Sequence, residues 1–227
     1  MMKLDLHVHT KYSPDCIIEP ELYIKRAVKI GLHGFAITDH NEVAGAVKIF
    51  KSTKGRKDII IIPGIEVSSD SGHILGYGIT ELVPRGLTPK ETIERITELG
   101  GVAVAAHPYR LASGLGSEKV KSAKFKSIEI LNHRSPKREN LRASKLAVEL
   151  KSGTTGGSDA HQVWELGLAA TQFNLTLQSS REGIDAILDE ITKKSTKPAG
   201  ESSTAVQGLQ MYGKLVVHWL KRGFKRV

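Results

Sequence analysis

The sequence has 227 residues, of which 40% are hydrophobic and 25% are charged, a composition typical of one large globular domain. No apolar run reaches the ~18 residues that a membrane-spanning helix requires, so a membrane span is not predicted. The single cysteine, Cys16, excludes an intrachain disulfide. With no signal-peptide pattern at Met1, these features predict a cytoplasmic protein.

The formal net charge of +9 is concentrated in two stretches of the chain. The stretch from Lys119 to Lys151 contains ten Lys or Arg residues and three Glu residues. The stretch from Ser195 to Val227 contains six Lys or Arg residues and one acidic residue. A basic surface attracts anionic partners such as phosphorylated small molecules and nucleic acid. The same excess is also compatible with a role in solubility alone.

Short apolar segments alternate with amphipathic segments along the chain. The predicted strands are Leu4 to Val8, Gly34 to Thr38, Asp58 to Pro63, His73 to Ile79, Val102 to Ala106, Ser127 to Leu131, Thr154 to Ser158 and Leu166 to Phe173. The predicted helices are Glu19 to Ile30, Glu42 to Lys51, Thr88 to Leu99, Pro136 to Leu150 and Ser180 to Thr192. This alternation favours an α/β fold of about seven strand–helix units, either a closed barrel or an open doubly wound sheet.

The last part of the chain differs in composition from the rest. The segment Lys193 to Ser203 is polar and contains Pro198 and Gly200, which predicts a linker. Beyond it, apolar residues recur at helical spacing among basic ones: Leu209, Tyr212, Val216, Trp219 and Leu220. We therefore predict a domain at 1–194, and a linker with a C-terminal basic amphipathic helix at 195–227. That helix either docks on the domain or forms an arm for nucleic acid or a membrane surface.

Side chains that bind metal ions recur where the predicted strands end. His7 and His9 alternate on the first strand, so the period of two points both imidazoles to the same side. The other such residues follow later strands: His40, Glu66, His107, Asp159 and His161. Because the carboxyl ends of parallel strands meet at one edge, we expect these side chains to lie together. Imidazole and carboxylate ligands suit zinc, manganese or iron, and a carboxylate can bridge two such ions.

Six segments, in chain order, resemble the successive motifs of the PHP (polymerase and histidinol phosphatase) family. They are Asp5 to Thr10, Ile37 to Asn41, Gly64 to Ser68, His73 to Tyr77, Ala106 to Pro108 and Gly157 to His161. The resemblance implies a distorted seven-stranded (β/α) barrel, similar to a TIM barrel, rather than an open sheet. It also implies a trinuclear site that binds two to three divalent metal ions.

The resemblance also implies which residues bind each ion. The first ion would be held by His7, His9, Glu66 and Asp159, the second by Glu66, His73 and His107, and the third by Asp15, His40 and His161. Among these, Glu66, His40 and Asp159 are predicted to be catalytic. In many members the third ligand follows its motif directly, whereas Pro14 precedes Asp15 here, and Cys16 is the alternative ligand at that position.

Two arginines are candidates for binding a substrate phosphate, because a planar guanidinium matches phosphate geometry. Arg110 follows the His107-Pro108-Tyr109 segment, and Arg134 lies at a strand end where the resemblance implies a basic residue near the substrate. The alternative for each is a solvated loop charge. His133 lies at the same strand end and is a weaker candidate for a direct role.

Together these features predict a metal-dependent phosphoesterase that hydrolyses a phosphate ester by metal-activated water. The basic balance favours a nucleotide or an oligonucleotide end as substrate. No Ser-His-Asp set, glycine-rich phosphate loop or dinucleotide fingerprint competes with this prediction. The alternatives are a small-molecule phosphatase of the histidinol-phosphate type, a nucleic-acid-binding barrel without activity, and hydrolysis of a non-phosphate bond. The sequence predicts no oligomeric state.

Overall fold

The computed structural model describes residues 1–175 and 182–204 of the chain. Within these residues the strands are β1 (Met2–Val8), β2 (Gly34–Ile37), β3 (Ile60–Ser68), β4 (His73–Tyr77), β5 (Val102–Ala105), β6 (Ser127–Asn132), β7 (Gly153–Gly157), β8 (Ala169–Phe173) and β9 (Lys197–Gly200). The helices are α1 (Pro20–Lys29), α2 (Ala44–Ser52), α3 (Pro89–Glu98), α4 (Gly116–Ala123), α5 (Lys137–Leu150) and α6 (Glu182–Lys193). The α/β prediction is confirmed, and each strand and helix predicted up to Thr192 has a counterpart among the described residues.

All nine strands of the described residues belong to one sheet, in the order β7-β6-β5-β4-β3-β2-β1-β8-β9. Seven strands run in one direction, whereas β4 and β8 are antiparallel to both of their neighbours. We call the side where the seven parallel strands end the carboxyl edge, and the side where they begin the amino edge. The sheet therefore has nine strands rather than the seven of the predicted barrel: eight match the strands predicted from the sequence, and β9 was not predicted.

The sheet curves until β7 meets β1, which makes a nearly closed barrel. The backbone N–H of His9 donates to the carbonyl of Ala160 over 3.0 Å, and the N–H of Gly156 donates to Thr171 Oγ1 over 2.8 Å. The first bond joins the residues that follow β1 and β7, and the second joins β7 to β8, the neighbour of β1. The structure thus confirms a barrel rather than an open sheet.

Apolar side chains fill the barrel and the space under its outer helices. Inside the barrel, Leu4, Ile60, Leu75 and Val104 pack against Ile187 of α6. This helix covers the amino edge, because it follows β8, which ends at that edge, and its Ile191 carbonyl accepts a bond from Ser127 at the start of β6. Two further apolar clusters lie under α1 and α2 and under α3, α4 and α5. The amino edge is therefore closed by packing, and the carboxyl edge is left for a site.

Two strands depart from the predictions in a way that affects the site. The isoleucine strand does not stop at Pro63 but continues as β3 to Ser68, so Glu66 lies within the strand rather than after it. The strand that begins at His73 is reversed, since β4 pairs antiparallel with both β3 and β5. Reversal brings the first residue of β4 to the carboxyl edge, where the other strands place their last residues.

The segment predicted as a linker is partly part of the barrel. Residues Lys197–Gly200 form β9, which pairs antiparallel with β8. Beyond β9, the N–H of Ser203 donates to the carbonyl of His133 over 2.7 Å, at the end of β6. The predicted linker at 193–203 is therefore wrong for these residues, because they pair with the sheet. The predicted C-terminal helix from Leu209 lies outside the described residues.

The basic stretch between Lys119 and Lys151 divides between the two ends of the barrel. Helix α5 starts near the carboxyl edge at Lys137 and runs for 14 residues, or about 21 Å, towards the amino edge. Lys126 and Lys151 therefore lie at the amino edge, where Lys126 precedes β6. In the part of the chain described here, no helix has the length and hydropathy needed to cross a membrane.

Candidate metal centre

The side chain of Glu66 is at the centre of a buried cluster at the carboxyl edge. Its Oε2 atom lies 3.2 Å from His7 Nε2, 3.2 Å from His9 Nε2 and 3.2 Å from His40 Nδ1. Its Oε1 atom lies 2.9 Å from both His73 Nδ1 and His107 Nε2. The two oxygens of one carboxylate thus face two separate groups of imidazoles, which is the arrangement of a bridging ligand.

Asp159 completes the group that contains the first two histidines. Its Oδ1 atom is 3.2 Å from His9 Nε2 and 3.8 Å from His7 Nε2. Its Oδ2 atom accepts from the guanidinium of Arg110, 2.6 Å away. The backbone of Asp159 has a φ of 58°, in the left-handed region that few non-glycine residues adopt. Unfavourable backbone of this kind is often found where a functional side chain must be aimed.

A third group forms beside the first. Asp15 Oδ2 is 3.0 Å from His161 Nε2 and 3.5 Å from His40 Nε2, so the three residues assigned to a third ion lie together. The Pro14 insertion does not move Asp15 away from them. Cys16, the alternative, is buried and its thiol donates to the carbonyl of His9. Burial raises the pKa of this thiol to about 11, so it is protonated at neutral pH and a poor metal ligand.

The carboxylates of the cluster remain ionised despite their burial. Burial alone would raise the pKa of Glu66, but the imidazoles around it, His40 and His7 first, hold that pKa well below its usual value. Arg110 and His7 likewise lower the pKa of Asp159 against the effect of its burial. Burial also raises the pKa of Asp15, but the neighbouring imidazoles, His161 first, hold it well below its usual value. These three predicted ligands therefore keep their negative charges within the site.

The imidazoles divide into two electrostatic classes. Burial lowers the pKa of His9, but close contacts with the carboxylates of Asp159 and Glu66 outweigh burial and raise this pKa to about 9. For His107, burial dominates, the charge of Arg110 adds to it, and the pKa falls to about 4. His161 also has a lowered pKa, caused by burial and then by the positive charge of Arg134. Neutral imidazole, the form that binds metal ions, is thus favoured at part of the site.

The donor set fits divalent metal ions. Two ligand atoms that are each about 2.1 Å from one ion and roughly 90 to 110° apart lie about 3.0 to 3.4 Å from each other. The separations around Glu66 Oε2 are all 3.2 Å. Moreover, His7 Nε2, His9 Nε2 and His40 Nδ1 are buried and have no hydrogen-bond partner among the described residues. Buried polar atoms without partners are costly, so these three atoms are accounted for if they bind ions.

The structure brings all nine sequence-predicted ligands together. Three-residue groups whose ligand atoms lie within 4.8 Å of one another include His7 with His9 and Glu66, His9 with Asp159 and His161, and His40 with Glu66 and His73. Each group mixes imidazole with carboxylate, as expected for zinc, manganese or iron. Their assignment to individual ions remains a prediction.

The two predicted phosphate-binding arginines have different surroundings. Arg110 donates to Asp159 and, over 2.6 Å, to Asn132 Oδ1, and only 14% of its side chain is exposed. Arg134 is half-buried and makes no ion pair within the described part of the chain. Its charge acts on His161, as the pKa of that residue shows, which places it by the third group. Both arginines therefore lie at the carboxyl edge.

His133 is buried and contacts a backbone group rather than the cluster. Its Nδ1 atom lies 3.0 Å from the carbonyl oxygen of Glu201, which follows β9. This contact ties the end of β6 to the last described segment, so the geometry supports a structural role for His133.

One buried carboxylate was missed by the sequence predictions. Glu129 of β6 is 1% exposed, and its Oε1 atom lies 3.0 Å from His7 Nδ1. The sequence did contain an indication of its role, because Glu129 is an acidic residue inside the apolar strand Ser127-Ile128-Glu129-Ile130. A charge is rarely buried in such a strand unless it is paired.

Comparisons with known proteins agree with this geometry. The family model of the PHP domain matches residues 5–217. The uncharacterized protein MJ1587 of Methanocaldococcus jannaschii is 38% identical over 162 residues, which cover 66% of this chain and 94% of that protein.

Solved structures share the fold at low sequence identity. A two-domain protein of Bacteroides vulgatus, described as containing a predicted PHP-like metal-dependent phosphoesterase, has a TM-score of 0.68 and 17% identity, covering 88% of this chain and 65% of that chain. Endonuclease Q, in complex with a 27-mer duplex substrate with an abasic lesion at the active site, has a TM-score of 0.68 and 17% identity, covering 88% of this chain and 60% of that chain. The chain thus spans less than two thirds of either structure. On the match of the family model to most of its length, the chain belongs to the PHP domain family.

Proposed function

We propose that this chain, a metal-dependent phosphoesterase of the PHP family, hydrolyses a phosphate ester of a nucleotide or an oligonucleotide. The observation that carries the proposal is the arrangement around Glu66, whose two oxygens face two groups of imidazoles that include unpartnered buried nitrogens. Scaffold barrels that only bind nucleic acid have no need of such buried polar atoms, because each costs free energy when left unpaired.

Two or three divalent ions bound there would lower the pKa of water and neutralise charge on the phosphoryl group. The residues of the chain have complementary roles. Glu66, Asp159 and Asp15 keep their negative charges in a buried site, as their lowered pKa values indicate, and so balance bound cations. Arg134 supplies positive charge at the rim, where a guanidinium can orient a phosphate by paired hydrogen bonds. Arg110, whose terminal nitrogens donate to Asp159 and Asn132, adds positive charge inside the site.

A nucleotide or oligonucleotide is supported by two observations. Exposed Lys137 and Arg138 begin α5 at the carboxyl edge, beside Arg134, so positive charge extends from the site onto the surface. The fold is also shared with Endonuclease Q, whose structure holds a duplex substrate at its active site. An extended basic rim favours a substrate with more than one phosphate.

A small phosphate ester is the second candidate, and one observation favours it. Lys126 and Lys151 lie at the amino edge, about one helix length from the cluster, so they add little attraction at the site. The positive charge near the cluster is therefore smaller than the composition of the basic stretch indicates, and this smaller charge is compatible with a small monophosphate as substrate.

The test is a substrate panel assayed with manganese, together with elemental analysis of protein purified without chelator. We expect two to three ions per chain, and faster turnover of a nucleotide with several phosphates or a short oligonucleotide than of histidinol phosphate. Less than one ion per chain after reconstitution would contradict the metal centre. Equal turnover of all substrates would contradict the preference while leaving the phosphoesterase activity.

The role of the rim charge can be tested with a matched pair of variants. Arg134→Ala should lower kcat/KM for an oligonucleotide roughly tenfold or more, in line with about 1.5 to 3 kcal/mol for a charge-assisted bond. Lys126→Ala removes one charge at the amino edge and should change kcat/KM little. Equal effects of the two variants, with no dependence on salt, would show that charge at the carboxyl edge does not bind the substrate.

A further inference from the structure

Among the described residues, one buried carboxylate outside the predicted ligand set contacts two of the predicted ligands. Glu129 Oε1 lies 3.0 Å from His7 Nδ1, and Glu129 Oε2 accepts the backbone N–H of His107 over 2.9 Å. His7 belongs to the group at one oxygen of Glu66, and His107 to the group at the other. Glu129 therefore contacts one residue from each of the two groups that surround the oxygens of Glu66.

We propose that Glu129 is a positioning residue that fixes one imidazole ligand of each of two metal ions. The inference rests on the proposed metal centre and adds a residue to it. Because an ionised carboxylate only accepts hydrogen bonds, His7 must carry its proton on Nδ1 when it bonds to Glu129. Its Nε2 atom, which faces Glu66 Oε2 at 3.2 Å, then presents a lone pair to an ion.

The contact with His107 acts on the backbone instead of the ring. His107 has a φ of 25°, an uncommon conformation for a residue with a side chain. The bond from its N–H to Glu129 stabilises that conformation, in which His107 Nε2 reaches Glu66 Oε1. Without Glu129, the buried N–H of His107 would have no hydrogen-bond acceptor, and nothing would offset the strain of this backbone conformation.

Glu129 lies close enough to His7 and His107 to form a ligand group with them, but its oxygens are already occupied by protein donors. Its Oε2 atom also accepts from Asn132 Nδ2 over 3.1 Å, so its two oxygens receive three N–H donors. Asn132 is held in turn by Asn140, which accepts from its backbone N–H and donates to its carbonyl. The carboxylate is thus fixed in position, with its acceptor capacity directed at protein groups.

The sharpest test is Glu129→Gln, which keeps the shape and reverses part of the hydrogen bonding. All three partners of Glu129 are donors, whereas a glutamine amide has one acceptor oxygen and one donor nitrogen. If the amide nitrogen faces His7, the imidazole must carry its proton on Nε2 and loses its metal-binding lone pair. If it faces His107, the backbone N–H loses its acceptor. Either outcome weakens the metal centre.

Zinc is the probe, and two readouts are independent of enzymatic activity. Competition with a chelator should show that Glu129→Gln weakens two zinc ions by about 10- to 100-fold and spares the third, which Asp15, His40 and His161 would hold. In zinc-loaded protein labelled with nitrogen-15, the Nδ1–H resonance of His7 should be lost or shifted. Wild-type affinity with an unchanged resonance would overturn the proposal.

Two further variants keep the test decisive. Glu165 is also buried at the carboxyl edge, but its Oε2 atom accepts only from the backbone, at His161 and Gln162. Glu165→Gln should leave the His7 resonance unchanged. If Glu165→Gln changed the His7 resonance as much as Glu129→Gln does, the cause would be the loss of a buried charge rather than the contact with Glu129. Glu129→Asp keeps a carboxylate, so it should weaken zinc less than Glu129→Gln; equal losses would contradict the proposed role. If zinc affinity depends on Glu129 in this way but the protein hydrolyses no phosphate ester, the role of Glu129 is supported and the proposed function is contradicted.

Discussion

The contact between β1 and β7 predicts that one added methyl group disturbs the metal centre. Gly157 precedes the Ser158-Asp159 segment, and a Cβ atom at Gly157 would lie 2.4 Å from His7 Cβ and 2.7 Å from His7 N. Carbon atoms in contact normally lie about 3.5 to 4.0 Å apart. Gly157→Ala therefore requires β1 and β7 to separate by about 1 Å, and no side-chain rotation can relieve the contact.

The expected cost follows from this separation. Overpacking of a close contact destabilises a protein by about 1 to 3 kcal/mol. For a chain of this size each kcal/mol lowers Tm by about 2 to 4 °C, so Gly157→Ala should lower Tm by roughly 2 to 12 °C. Because His7 and Asp159 flank the contact, their side chains should also move apart by up to about 1 Å, which can reduce turnover by about 10²-fold.

Thermal unfolding and zinc content measure the two effects separately. Gly183 in α6 provides the control, because among the described residues a Cβ there meets only Ile60 Cδ1, at 3.7 Å, an ordinary contact. Gly183→Ala should leave Tm unchanged or raise it, since alanine favours a helix by up to about 1 kcal/mol relative to glycine. If Gly157→Ala matched the wild type in Tm, zinc content and turnover, the close approach of β1 and β7 would be refuted.

Three other predictions concern the cluster itself. Glu66→Gln should abolish turnover with the fold retained, whereas His40→Ala should reduce turnover and remove at most one ion; equal, mild losses by both, measured with elemental analysis, would contradict the assigned roles. Because the pKa of Cys16 is raised to about 11, its thiolate fraction at pH 8 should be about a hundredfold below that of a thiol with a pKa of about 9, and a thiol reagent should modify it slowly unless the protein is unfolded. Because the pKa of His9 is about 9 without metal, His9 is protonated at pH 7 and must lose a proton to bind zinc. Zinc affinity should therefore rise between pH 7 and 9, and titration calorimetry should detect proton release. A zinc affinity that does not change with pH would contradict this prediction.

Much of the site could be predicted because its residues occupy strand ends in a regular order. His7 and His9 face the same carboxylate, as their period of two indicated. The direction of β4 could not be predicted, because the apolar pattern of His73–Tyr77 is the same whichever way the strand runs. Its direction depends on pairing with β3 and β5, which are distant in sequence or joined by a turn.

Other features escaped prediction for equally physical reasons. Glu129 is a lone acidic residue in a strand, and only the neighbouring elements show that its oxygens meet His7 and His107. The polar segment that contains Pro198 has the composition of a linker, yet it forms β9 because β8 offers a free edge. The sequence shows the basic stretch between Lys119 and Lys151 as continuous, but the 14-residue helix α5 separates its residues between the two edges of the barrel.

The backbone bond from Ser203 to His133 holds Ser203 at the end of β6. Because His133 follows β6, Ser203 lies at the carboxyl edge, beside Arg134 and the cluster. A partner fused directly after Thr204, in place of the residues that follow, is thereby tethered within reach of the substrate. Tethering raises the effective concentration of a binding module without any new contact. A substrate-binding domain fused after Thr204 should therefore improve capture of long substrates more than the same domain fused before Met1, because β1 begins at the amino edge.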